Sequence, residues 1–238
     1  MSTTAIIVAA GQGTRLGMGP KAFVSLGGAS LVQRSAAAML QCPEVDGVIV
    51  VVSAPLVEKA RRQLPEQVQV VVGGAERADS VARGLWALQS RAALGPGDKV
   101  LIHDAARALV STELISRVAR EVGRGNSGVV PVVPVADTIK VVDGEVITAT
   151  PERKRLRAAQ TPQGFVAADV LAAHHKYAQA RAAGGGQRPD FVPTDDASLL
   201  EWAGYRVVCV PGEHRALKIT TPVDLAVAQA AVEGRLEF

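Results

Sequence analysis

Short apolar runs rich in β-branched residues alternate with stretches whose apolar positions recur at helical spacing. Ala5–Val8, Val48–Val52, Val68–Val72, Val100–Ile102 and Gly128–Val133 are nearly all apolar, as expected of parallel strands buried on both faces. The helices between them carry recognisable starts. Ser30 with Gln33 makes a capping box ahead of Leu31–Leu40, and Pro55 sits at a first helical position. Ser111 caps a helix with Glu113 in its first turn, and Thr221-Pro222 opens a C-terminal helix. Strands alternating with helices predict an α/β fold, an open, mostly parallel sheet flanked by helices.

One region breaks the rhythm. Asp137–Val142, the Asp143-Gly144 turn signal and Glu145–Thr148 read as a hairpin. A lone hairpin is marginal in water, so this one is expected to lie on another surface, and a partner subunit is the natural candidate. Ala182–Pro193, with three consecutive glycines, reads as a loop.

Composition narrows the class. The 238 residues suit one large domain or two small ones, 48% of them are apolar, and the net charge is only +3. No basic run is interleaved with aromatics, so the positive charges are expected to meet small anions and not nucleic acid. Two isolated cysteines, Cys42 and Cys209, form neither a disulfide framework nor a zinc cluster. No stretch approaches membrane-spanning length, and the N-terminus enters a strand directly, so the cytoplasm is the expected compartment.

The chemistry begins after the first strand, at Ala9-Ala10-Gly11-Gln12-Gly13-Thr14-Arg15-Leu16, with Pro20-Lys21 following. Glycines let backbone N–H groups approach an anion, and Arg15 and Lys21 are placed to grip a polyphosphate. The dinucleotide fingerprint fails because Leu16 stands where its third glycine belongs, and the second strand ends in Ser53 instead of an acid. The Walker loop fails because Lys21 lies between Pro20 and Ala22, where no helix is expected to start. The remaining pattern resembles the loop of nucleotidyltransferases acting on sugar or polyol phosphates.

Further segments fall where strands end, the edge at which ligands gather in parallel α/β sheets. Gly73–Ser80 offers glycines and the Ser80 hydroxyl to a base, or else a turn with Asp79 or Ser80 as helix cap. In His103–Arg107, Asp104 suits magnesium shared with phosphates, and Arg107 suits a phosphate or an ion pair; a plain Asp–Arg cap is the alternative. Thr138 opens the hairpin. Arg153, Lys154, Arg155 and Arg157 follow it as a cationic run, which is either a solvated face or an anion site. Ala159–Phe165, Thr194–Ser198 and Ala216–Thr221, the last holding Lys218, complete the series; Thr194 or Asp195 equally suits a helix cap.

Taken in order, HDAAR, ADTIK, QTPQGF, TDDAS and LKITTP resemble the 2-C-methyl-D-erythritol 4-phosphate cytidylyltransferase family, from Ala9 to about Gln229. The resemblance implies a Rossmann-like sheet with a protruding β-arm, residues 137–155, that embraces the second subunit of a homodimer. It implies that Arg15 and Lys21 stabilise charge on the α-phosphate of CTP, while Arg153, delivered to the partner's site, and Lys218 hold the polyol phosphate. Ala9, Ala10, Gly11, Gly13, Gly74 and Ser80 correspond to CTP contacts. Arg107, Thr138, Thr161 and Thr194 correspond to the polyol side, and Asp104 to a Mg²⁺ ligand.

The chain departs from the family pattern at Ala22, Ala108 and Arg157, and near Lys218, where Arg215 and Ala216 leave Glu213 as the nearest acid. Ribitol 5-phosphate cytidylyltransferases share most of these motifs and remain an alternative, as does, more distantly, a guanylyl- or uridylyltransferase. A non-catalytic nucleotide-binding protein is the alternative of another kind, and retention of Arg15, Lys21, Arg153 and Lys218 together speaks against it.

Overall fold

The computed structural model describes residues 1–11, 13, 16–91, 94–183 and 191–238. Arg15 lies outside them, as does most of the 182–193 loop, so the expectations placed there have no structural counterpart below.

In chain order the elements are β1 (Thr3–Val8), β2 (Ser25–Leu26), β3 (Ala29–Ser30), α1 (Leu31–Gln41), β4 (Gly47–Val52), α2 (Val57–Gln63) and β5 (Gln69–Val72). There follow α3 (Arg77–Gln89), β6 (Lys99–Asp104), α4 (Thr112–Glu121), β7 (Gly128–Pro134), β8 (Val141–Asp143) and β9 (Val146–Ala149). The chain continues through β10 (Arg157–Ala159), β11 (Gln163–Val166), α5 (Ala167–Ala183), α6 (Asp196–Ala203), β12 (Val207–Pro211) and α7 (Pro222–Val232).

The main sheet runs β10-β7-β11-β6-β1-β4-β5, with β12 also paired to β7. β1 pairs in parallel with β4 and β6, β4 with β5, and β7 with β12; β10 and β11 are the antiparallel members. Alternation along the central strands splits the core. Ala5, Ile7, Val48, Val50 and Val52 pack on one face with Met39 of α1 and Leu114 of α4. Ile6, Ile49 and Val51 pack on the other with Leu85 of α3 and Val170 of α5. Because β1, β4, β5 and β6 run in parallel, the loops after Val8, Val72 and Asp104 leave the sheet at one edge. Backbone bonds lock them together: Ala9 N–H to Val51 O (2.8 Å), Gly73 N–H to Val52 O (2.7 Å) and Ala105 N–H to Val8 O (3.1 Å).

Local chemistry explains most boundaries. The Ser30–Gln33 box, the Ser111 cap and the Thr221–Asp224 box with Pro222 in the first turn all form. Three details differ from the sequence reading. Pro55 lies in a 3₁₀ turn, Ala54–Leu56, and the α-helix begins only at Val57. Lys21–Phe23 is itself one 3₁₀ turn, since Pro20 blocks an α-helix but not a single i→i+3 closure. The first hairpin strand begins only at Val141 and runs to Asp143, and the second keeps four residues but shifts by one to Val146–Ala149, because the turn centres on Gly144-Glu145, with Gly144 at φ +57° as a primed turn demands. All residues of β8 and β9 are exposed, and they form their own two-stranded sheet. No described helix is long and apolar enough to cross a membrane.

Candidate active site

At the shared strand edge a pocket opens whose walls come from three of the anticipated segments and from the C-terminal loop. It is lined by Val8–Gly11, Lys21 and Ala22, by Gly74–Arg77 and Ser80, by Asp104–Ala106, and by Lys218. Ala9, Ala10, Gly11, Lys21, Gly74, Ser80, Asp104 and Lys218 of the sequence-derived set therefore meet. Gly13 faces an adjoining concavity that shares Ala10 and Gly11. It has φ +67°, and a Cβ there would stand 2.4 Å from the Cβ of Lys21. Glycine is thus needed twice, for its left-handed backbone and for the close pass of the lysine.

The Gly73–Ser80 wall is shaped from within. Ser80 is buried, its Oγ accepts from Gly74 N–H (3.1 Å) and donates to the Glu76 carbonyl (3.1 Å). The helix cap is Glu76, one turn earlier than either candidate: Asp79 is its capping-box partner, accepting from Glu76 N–H at 3.1 Å. Gly74 leaves no room for a side chain, since a Cβ would lie 2.3 Å from that of Asp79.

Charge converges on Asp104. Lys218 Nζ lies 2.6 Å from its Oδ2 and Arg77 Nε 3.2 Å from its Oδ1. Arg77 reaches on to Asp196, Nη2 to Oδ2 at 2.8 Å, and the Asp196 side chain is only 2% exposed. Burial alone would push the Asp104 carboxyl up, but Arg77 and then Lys218 hold it well below the usual carboxylate range. Burial works against the Arg77 charge, and Asp196 and Asp104 together raise its pKa above the ordinary arginine value.

Lys218 is brought to Asp104 by its own segment, which is stitched to the HDAAR loop. Ile219 N–H donates to Ala106 O (2.9 Å) and Arg107 Nη1 to Ala216 O (2.8 Å). Arg107 also donates to Ala159 O (3.1 Å). Two of its donors thus serve loop carbonyls, its buried Nε has no hydrogen-bond partner among the described residues, and it is not among the residues lining this pocket.

Thr161 is likewise turned inward. Buried beside His103, its Oγ1 accepts from Asp104 N–H (3.0 Å) and lies 3.1 Å from His103 Nδ1. Burial pushes the His103 imidazole down to about 4, so it is neutral.

The remaining candidates stand apart. Thr194 is exposed and donates its N–H to Ser198 Oγ (3.2 Å), while Asp195 caps α6. Thr138 and Arg153 lie on the exposed arm, where Arg153 Nη1 donates to Ala136 O (2.7 Å), and neither lines the pocket. Glu213 is turned to the N-terminus of α4, accepting from Ser111 Oγ (2.7 Å). Arg77 and Asp196 were not singled out from sequence. Arg77 sits inside the quoted Gly73–Ser80 stretch, but nothing in the spacing of positions 77, 104 and 196 reveals that one guanidinium joins two carboxylates.

A parallel α/β sheet with a glycine loop at the end of its first strand, opening on a cation-lined pocket, is the architecture of a protein that handles nucleotide phosphates. Comparison with known proteins narrows the class. The family model for 2-C-methyl-D-erythritol 4-phosphate cytidylyltransferase matches residues 3–234. Proteins of that name from Corynebacterium efficiens and Rhodococcus jostii are 50% and 49% identical to this chain. The alignments cover 96% of this chain in each case, and 92% and 94% of those proteins. The crystal structure of the Thermus thermophilus protein of that name matches with a TM-score of 0.74 at 35% identity, covering 98% of this chain and 100% of that one. The chain belongs to the 2-C-methyl-D-erythritol 4-phosphate cytidylyltransferase family and is an enzyme of the nucleotidyltransferase class.

Proposed function

We propose that this enzyme transfers the cytidylyl group of CTP to 2-C-methyl-D-erythritol 4-phosphate, releasing pyrophosphate, as a step of non-mevalonate isoprenoid synthesis. What carries the reading is the meeting of the glycine loop, Lys21, Asp104 and Lys218 in one pocket, in a chain half identical to cytidylyltransferases of that name.

The polyol phosphate is already an anionic nucleophile, so no general base is needed. One of its oxygens forms a bond to the α-phosphorus of CTP. The bond from that phosphorus to the bridging oxygen breaks, and pyrophosphate leaves with the electron pair. Both reactants are anions, and the protein's task is to align them and neutralise their charge. The nucleoside lies against Ala9–Gly11, Gly74 and Ser80. Lys21, with Arg15, takes the charge on the α-phosphate, and Lys218 docks the incoming phosphate.

Asp104 suits a Mg²⁺ held jointly with the triphosphate, since that ion commonly takes one or two protein carboxylates and completes its shell with phosphate and water oxygens. The carboxylate faces the pocket in ionised form. Its Oδ2 partner, Lys218, is on a flexible stem and 42% exposed, so it can yield that oxygen. When bound, the ion supplies further neutralisation of the triphosphate.

The β-arm is assigned to a homodimer contact in which Arg153 and Thr138 serve the partner's pocket. Support comes from the exposed apolar side chains Val141, Val142, Val146 and Ile147, an unusual load for a free hairpin. Two free cysteines suit a reducing cytoplasm.

Pyrophosphate release from CTP and Mg²⁺ in the presence of methylerythritol phosphate tests the reading. Release that depends on the polyol supports it. CTP binding without release for any polyol phosphate would make the chain a nucleotide binder instead.

A further inference from the structure

Arg77 is the side chain at this site that the family motifs do not explain and the geometry does. It opens α3, directly after the loop against which the nucleoside is placed, and forms part of the pocket wall. Its guanidinium joins two carboxylates from distant parts of the chain, Asp104 at 3.2 Å and Asp196 at 2.8 Å. Asp196 is buried at the start of α6, and Arg77 is the cation on it among the described residues; burial holds the nearby His174 imidazole below its ordinary pKa, hence uncharged. Asp104, in contrast, is paired directly with two cations, and Arg107 acts on it at longer range. One of the two is the half-exposed Lys218, and the other is the anchored Arg77.

That asymmetry has a functional reading. A lysine that docks a phosphate must leave its resting carboxylate when substrate arrives. The carboxylate must then stay ionised and aimed without it. An ammonium on a four-carbon stem is suited to moving, and a planar guanidinium forked between two acids is suited to staying. We infer that Arg77 is a positioning residue of the transfer reaction, the fixed counter-ion that holds Asp104 in place while Lys218 moves from Asp104 to the incoming phosphate. This rests on the reading of the enzyme given above.

The obvious variant, Arg77→Met, leaves Asp196 buried without its cation and endangers the fold. Arg77→Met/Asp196→Asn removes that charge as well, and it separates folding from positioning. The double variant is expected to melt within about 5 °C of wild type. Its kcat should nevertheless fall by about 10–100-fold, the usual effect of losing a partner that orients a ligating carboxylate. KM for the polyol phosphate should rise several-fold, about threefold or more, because Lys218 stays on Asp104 as its remaining partner. Arg77→Lys, which keeps charge but cannot span both acids, should recover part of the loss in kcat.

Calorimetric titration of CTP with Mg²⁺ gives a readout free of turnover, and binding to the double variant should weaken by about tenfold. A stable double variant with wild-type kcat, KM and CTP–Mg²⁺ affinity would overturn the inference. Wild-type protein that is silent with methylerythritol phosphate would overturn the functional reading. The role of Arg77 would then stand or fall on the calorimetry, with unchanged affinity refuting it.

Discussion

Lys218→Met separates what the site does from what holds the fold. The Nζ–Oδ2 distance of 2.6 Å describes a close pair, but the lysine side chain is 42% exposed and the aspartate 13%. Half-exposed pairs are screened, and the lysine surrenders rotamer freedom to make them, so the pair is worth about 1 kcal/mol. Asp104 also keeps Arg77 when Lys218 is lost. For a chain of this length that corresponds to a melting shift of about 2–4 °C. The catalytic loss should be far larger. A cation aimed at the reacting phosphates is worth on the order of 10²-fold in turnover, about 2.7 kcal/mol of barrier. The assays are a thermal melt without substrate and initial rates of pyrophosphate release with both substrates varied. Turnover within about threefold of wild type would remove Lys218 from the reaction. A fall in activity matched by a melting shift of about 10 °C would make it a structural residue and refute the screening estimate.

Three other outcomes follow from the geometry. Gly13→Ala forces a Cβ to within 2.4 Å of the Lys21 Cβ at φ +67°, so kcat should fall by about tenfold or more while the melting temperature drops by a few degrees, about 2–6 °C; unchanged kinetics would refute the close-approach role. His103 titrates at about 4 in the fold and at about 6.5 when unfolded, because burial disfavours the imidazolium. The unfolded chain binds the proton first, so its contribution is intact above about pH 6.5 and is lost as pH falls towards 4. Wild type should therefore lose about 2 kcal/mol more than His103→Asn between pH 7.5 and 5 in urea unfolding, and parallel losses would contradict the buried neutral state. If the arm completes the partner's site, mixing inactive Arg153→Ala with inactive Lys218→Met after reversible dissociation should restore about a quarter of wild-type activity, one intact site in half the dimers. No recovery in a verified mixed dimer would confine Arg153 to its own subunit.

Much of this architecture is legible in the sequence because its determinants are local. The β-branched runs mark β1, β4, β5, β6 and β7, and the Ser30–Gln33 box and Thr221-Pro222 mark helix starts. β10 and β11 are not legible in the same way. They are only three and four residues long and include Arg157, Gln163 and Gly164, so their pairing with β6 and β7 is set by the neighbouring strands and not by pattern. β2 and β3 are shorter still, a two-residue pair around Gly27-Gly28.

The site divides along the same line. Ala9–Gly11, Lys21, Gly74, Ser80, Asp104 and Lys218 could be placed from motif order, and they do line the pocket. The inward turn of Thr161 and Arg107 could not, because a motif names a residue without saying whether its polar atoms face substrate or backbone. Nor could the Arg77 bridge, which links positions separated by long stretches of chain. Electrostatic partnerships across a fold leave no periodicity behind.

The most direct measurement is a competition between equal concentrations of methylerythritol 4-phosphate and ribitol 5-phosphate for limiting CTP, with the cytidylylated products resolved by mass. The account predicts that the methylerythritol product dominates and that its yield equals the pyrophosphate released. Dominance of the ribitol product would contradict the assigned substrate. Absence of both, with CTP still bound, would contradict catalysis itself.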